Sequence, residues 1–158
     1  MRIPTLIAAT IIALSISAAS PATAKPTDPM DDLVAAALEA TPGGTRTGWN
    51  EVAWDDGDIV LTLADPATRT GATAKAVGGC ASGKFCAYTL PGYLGNKLTF
   101  STCTSNHGVS ALGGSVRSIA NSRSSGTVKA YNGSSLVLSV SAGTGKNTTA
   151  TITKLACS

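Results

Sequence analysis

Aromatic and charged side chains are both scarce in this 158-residue chain, at 4% and 13%. The first shortage excludes a large aromatic core. The second, beside 43% hydrophobic residues, excludes a charge-rich disordered chain. Acidic residues are missing altogether after Asp65, and His107 is the sole histidine. Any Ser-His or Cys-His mechanism would need His107, with an orienting carboxylate borrowed from the first half of the chain. Paired-carboxylate hydrolysis meets the same obstacle. Neither a Gly-x-Ser-x-Gly elbow nor a His-Glu-x-x-His helix occurs. His107, within Ser105-Asn106-His107-Gly108, reads as an exposed loop residue, and catalysis is not expected.

Long apolar runs are also lacking, apart from Leu6 to Ile16. That run is too short to cross roughly 30 Å of hydrocarbon at about 1.5 Å per residue. Behind Met1-Arg2 and ahead of Ala22-Thr23-Ala24, it has the three-part pattern of an export signal. Residues 1–24 are therefore expected to be removed, leaving a secreted, extracellular protein that does not span a membrane. No cysteine follows the cleavage site, so a lipid anchor is not indicated.

Export bears on the four cysteines, Cys80, Cys86, Cys103 and Cys157. An even number in an oxidising compartment implies disulfides, with three pairings open. Cys80–Cys86 would close a tight loop around Gly83, and Cys103–Cys157 would then tie the C-terminus to the middle of the chain. Zinc is disfavoured because the paired C-x2-C spacing is absent.

Charge divides what remains. Nine carboxylates lie between Asp28 and Asp65, against Lys25 and Arg46. Nine Lys and Arg follow from Arg69 to Lys154. The acidic segment is expected to dock on the basic one through their opposite fields. Nucleic acid is not expected as a partner, because the cations are scattered singly and few aromatics (Phe85, Tyr88, Tyr93, Phe100, Tyr131) could stack on bases. An anionic cell-envelope polymer remains compatible with the charge.

Residues 25–77 read as an acidic extension. Asp28-Pro29 starts a helix whose apolar stripe is Met30, Leu33, Val34, Ala37 and Leu38, and Pro42-Gly43-Gly44 ends it. Asn50–Trp54 and Ile59–Leu63 then flank Asp55-Asp56-Gly57-Asp58, a hairpin signal, since glycine accepts positive φ freely. The aspartates of that turn are too few for a calcium loop. Asp65–Val77 reads as a linker. In residues 78–158, six strand-like runs recur between Gly, Ser and Asn clusters: Phe85–Thr89, Lys97–Ser101, Arg117–Ala120, Thr127–Tyr131, Leu136–Val140 and Ala150–Leu155. These predict a mainly β sandwich or Greek-key domain.

The string Gly79-Cys80-Ala81-Ser82-Gly83-Lys84-Phe85-Cys86-Ala87-Tyr88, followed by Pro91-Gly92-Tyr93-Leu94-Gly95, resembles the secreted bacterial peptidase-inhibitor family typified by the Streptomyces metalloproteinase inhibitor. The resemblance implies a βγ-crystallin-like Greek-key fold. Tyr88, Tyr93 and Gly95 match the crystallin-type spacing of aromatic, four residues, aromatic, any residue, glycine. Ser118, in Ser115–Asn121, matches the serine near the end of that motif. Gly113 and Gly114 stand where calcium-binding crystallin motifs carry acidic or amide side chains, so no cofactor or metal is expected.

The resemblance further implies a peptidase inhibitor, probing extracellular metallopeptidases by inserting a loop into the cleft. Ala81, Ser82, Gly83 and Lys84, together with Thr104, Ser105, Asn106, His107 and Gly108, are the expected contact loops. No second short cysteine loop follows Cys103, so no reactive bond is transferred to this chain. The alternative is a non-inhibitory βγ-crystallin-like module that binds envelope polymers or a protein partner.

Overall fold

A computed structural model describes residues 28–65 and 77–158. The export signal expected at 1–24, and the linker expected up to Val77 except for its two ends, lie outside the described residues. The described residues are mainly β, with eleven strands in two antiparallel sheets after one short helix.

The helix α1 spans Pro29–Ala40, and the Asp28 carboxylate accepts from the Met30 amide at 2.9 Å. This satisfies one of the free amides at the helix start. Met30 and Val34 are buried, whereas Leu33, expected on the apolar stripe, is 42% exposed. The helix meets the sheet along a narrower line than its apolar content suggests. At its C-terminal end the Trp54 indole donates to Thr41 O at 3.1 Å. The ion pair of Arg46 with Asp31, at 2.8 Å, is surface-exposed and contributes little.

β1 (Thr45–Gly48), β2 (Glu51–Trp54) and β3 (Ile59–Thr62) form an antiparallel meander. Trp54 pairs with Ile59 across the Asp55–Asp58 turn, whose Asp55, Asp56 and Gly57 all have positive φ. β3 then pairs with β5 (Leu94–Phe100), which pairs with β4 (Phe85–Leu90). The acidic segment is thus built into the sheet of the second segment. Backbone ladder and shared core join the two: Val52, Leu61 and Trp54 are buried in one cluster with Phe85, Leu98 and Phe100.

The remaining strands are β6 (His107–Gly108), β7 (Ser118–Asn121), β8 (Thr127–Asn132), β9 (Ser135–Ser141), β10 (Thr144–Asn147) and β11 (Lys154–Cys157). The larger sheet runs β1-β2-β3-β5-β4-β7-β10 and the smaller one β6-β11-β8-β9. A pattern lies inside this order. Strands β4 to β7 and β8 to β11 are successive four-strand units, and each gives its third strand to the other unit's sheet. The orders β5-β4-β7-β10 and β9-β8-β11-β6 are therefore equivalent. This is a Greek-key arrangement in which neither sheet is complete without the other unit.

Between the sheets, Phe85 and Phe100 stack at 4.9 Å and are fully buried. Leu112, Val116, Ile119, Val128, Val140 and Leu155 complete the core.

Candidate functional site

Strand register decides which loops share a surface. Ile59, Phe100, Phe85 and Asn121 lie in one row across the larger sheet, with Thr144 opposite Asn121. The turn before Ile59, the loop after Phe100, the loop before Phe85, the turn after Asn121 and the turn before Thr144 therefore emerge at one end. Both expected contact loops, Ala81–Lys84 and Thr104–Gly108, begin at that end, although the last two residues of the second form β6. Asp55, Asp56 and Asp58 stand on one side of it, and Lys84 and Arg123 on the other.

The first loop is closed by the Cys80–Cys86 disulfide, both cysteines being fully buried. Ala81, Ser82 and Gly83 are exposed and Lys84 partly so. The turn closes on itself through Lys84 N to Ala81 O at 3.1 Å. Gly83 N donates to Ser122 O, and Ser122 N donates back to Lys84 O, each at 2.9 Å. Arg123 Nη1 adds a bond to Gly83 O at 3.2 Å. Its Nε is buried and meets no acceptor among the described residues. The loop is thus braced from beneath by Ser122 and Arg123, which the sequence reading did not single out. The Ser-rich run Ser122–Ser125 signalled only a turn, and no local pattern marks which loop that turn will touch.

The second loop is fixed by the Cys103–Cys157 disulfide. Cys157 N donates to Thr104 O at 2.7 Å, and Thr104, Ser105 and Asn106 are exposed. His107 departs from expectation: it is 4% exposed, not a surface loop residue. Its ring lies edge-on to Phe85 and Phe100, at 5.2 and 4.9 Å. Its Nε2 accepts from the Thr104 amide at 3.1 Å and lies 2.9 Å from Thr104 Oγ1. The imidazole supplies apolar area to the core and an acceptor to the loop above it, so it acts as an internal strut. Gly108 remains exposed beside it in β6.

Burial lowers the His107 pKa from its usual 6.5, partly opposed by the negative charge of Asp58. The fold thus favours the neutral ring, and unfolding below pH 6.5 takes up a proton. This contribution is fully present above pH 6.5 and is lost as pH falls through the lower folded value. Melting temperature should accordingly drop on acidification through this window. The drop should be smaller in His107→Gln, which stays neutral; equal pH slopes in the two proteins would refute the assignment.

Tyr88, Tyr93, Gly95 and Ser118 gather at the opposite end of the same sheet. The Tyr88 hydroxyl donates to Gly78 O at 2.9 Å, and its ring meets Tyr93 edge-on at 5.7 Å. Burial, with Tyr93 beside it, raises the Tyr88 pKa, so the hydroxyl stays protonated as a donor. Tyr93 has a φ of 64°, and its amide donates to Ser118 Oγ at 3.0 Å. Ser118 in turn donates to Leu90 O at 2.7 Å. Gly95 has a φ of 78°, and a Cβ there would collide with Thr89 Oγ1. These residues fold the β4–β5 hairpin over and hold it there, away from the contact loops.

Residues 73–139 match the model of peptidase inhibitor family I36, the family typified by the Streptomyces metalloproteinase inhibitor. The matched segment contains the Cys80–Cys86 loop, its Ser122–Arg123 brace and the folded hairpin. Neither the curated proteins nor the solved structures contain a significant match to the chain. No helix among the described residues is long and apolar enough to cross a membrane.

Proposed function

From that family match we propose that the chain is a secreted inhibitor of extracellular metallopeptidases. It acts by binding and not by catalysis, presenting Ala81–Lys84 and Thr104–Asn106 to the enzyme from one rigid end. The observation that carries the reading is the brace under the Cys80–Cys86 loop, inside the segment matched to an inhibitor family. A loop ordered by a disulfide and four hydrogen bonds loses its freedom when the chain folds. Binding then costs little further ordering, so a small contact can be tight. Two disulfides suit a protein that works in an oxidising, protease-rich medium. The fold supports a βγ-crystallin-like reading through the exchange of third strands between its two units.

The test is an inhibition assay of the oxidised protein against thermolysin-like metallopeptidases, with serine peptidases alongside. Inhibition of the former at micromolar protein is expected, and no inhibition of any peptidase at high micromolar protein would overturn the proposal. Arg123→Ala, which frees the Gly83 carbonyl from beneath, should weaken inhibition by about tenfold. Its melting temperature should change little, since Arg123 lies at the surface turn and outside the hydrophobic core.

A further inference from the structure

We propose, resting on the inhibitor reading, that His107 positions the Thr104–Asn106 loop for its peptidase and that protonation of its ring releases the loop. His107 is the only histidine of the chain. Pairing with Leu155 of β11 lays the residue inward, where it is 4% exposed. Its Nε2 accepts from the Thr104 amide at 3.1 Å. An amide nitrogen can only donate, so Nε2 carries no proton while the loop is in place. The Thr104 hydroxyl lies 2.9 Å from the same nitrogen.

Little else orients this loop. Thr104 O accepts from the Cys157 amide at 2.7 Å, and the Cys103–Cys157 disulfide fixes the residue before it. Ser105 and Asn106 are exposed and make no hydrogen bond among the described residues. Their presentation therefore depends on the direction in which the chain leaves Thr104, which the His107 acceptor sets. A proton on Nε2 turns that acceptor into a donor facing another donor. The bond is then lost, and the Thr104 peptide must turn away from the ring.

The groups around the ring decide where in pH this falls. β4 and β5 bring Phe85 and Phe100, edge-on at 5.2 and 4.9 Å, and β11 brings Leu155. None of these can solvate an imidazolium, and burial lowers the His107 pKa from 6.5. Lys154 is next to Leu155 in β11 and so belongs to the other face of that sheet. Asp58, in the turn before β3, is the charged group that acts on the ring, and it raises the value part of the way back. Its backbone carbonyl accepts from the Ser101 amide at 2.9 Å, which ties that turn to the strand end leading into the loop. Release of the loop thus falls on the acid side of pH 6.5.

Two measurements on the oxidised full chain, from about pH 8 to about pH 4, test this. By NMR, the Thr104, Ser105 and Asn106 amides should shift together where the His107 ring signals titrate, below pH 6.5. Across the same change, the inhibition constant against a thermolysin-like metallopeptidase should rise about tenfold relative to that of His107→Gln. The glutamine amide can accept from Thr104 at every pH, and the comparison cancels the titration of the peptidase itself. Asp58→Asn should move both transitions to lower pH, since it removes the charge that favours the imidazolium. Three outcomes would each overturn the proposal: loop amides that stay still while the ring titrates, an inhibition ratio that does not change, or a loop shift that coincides with collapse of the circular dichroism spectrum. Inhibition absent at every pH would instead overturn the inhibitor reading, and the loop amides alone would then decide whether His107 releases the loop.

Discussion

A chain shortened to begin at Val77 should fail to melt cooperatively. Charge alone suggests a looser arrangement, in which an acidic extension docks on a basic domain through opposite fields. The ladder from Ile59–Phe100 to Thr62–Lys97 makes β3 the neighbour of β5 instead. Deletion would strip this strand from the sheet and expose Leu98 and Phe100 along a new edge. It would also remove Met30, Val34, Val52, Trp54, Leu61 and Leu63, all buried in the common core. At roughly 1.5–3 kcal/mol for each buried side chain, the loss is on the order of 10 kcal/mol. That is comparable to the whole stability of an ordinary domain. Circular dichroism against temperature provides the measurement. A shortened chain that melts cooperatively within a few degrees of the whole protein would show that residues 28–65 are dispensable.

The second large effect concerns the disulfides, which should not be equivalent. Cys103–Cys157 spans 54 residues and Cys80–Cys86 only six. On the chain-entropy account, replacing both members by serine should cost about 4 kcal/mol for the long bridge and about 2 for the short one. The long-bridge variant should melt about 10–20 °C lower, with a shallower fall for the other. Function should invert this ranking. The short bridge shapes the loop itself, so its loss should weaken peptidase inhibition more than its modest effect on melting suggests. Thermal melts and inhibition constants on both double-serine variants check the two rankings together. A long-bridge variant melting within about 3 °C of the parent would refute the first ranking.

Local signals were enough wherever an element is held by its own neighbours in the chain. Asp28-Pro29 started the helix where a capping carboxylate and proline require it. Asp55-Asp56-Gly57-Asp58 turned the β2–β3 hairpin in the register that an Asp-Gly pair favours. For the cysteines local signals gave disulfides but left three pairings open, and the structure has Cys80–Cys86 with Cys103–Cys157, the one in which the short loop closes on itself. The strands with alternating or continuous apolar residues, β4, β5, β7, β8 and β9, were legible within a few residues. The final strand was expected at Ala150–Leu155 and forms at Lys154–Cys157, because pairing with β8 sets its register.

Three strands carried no signal: β1, β6 and β10. Thr45–Gly48, His107–Gly108 and Thr144–Asn147 are too polar or too short to show a period of two. They are strands because a neighbour offers them unpaired backbone groups. His107 was misplaced for a related reason. In a Ser-Asn-His-Gly stretch the ring looks solvated, but β6 pairs with β11 and lays it against Phe85 and Phe100.

From the order of residues alone came the β class, the helix and hairpin, the expectation of disulfides and the inhibitor resemblance, since each depends on composition, on contacts between near neighbours or on a recognisable string. Tertiary structure decided the rest. It exchanged β6 and β10 between the sheets, welded the acidic segment to the basic one, set both candidate loops at one end and slid Arg123 beneath the first. Those outcomes depend on hydrogen bonds and burial between residues far apart in the chain, where no local periodicity can record them.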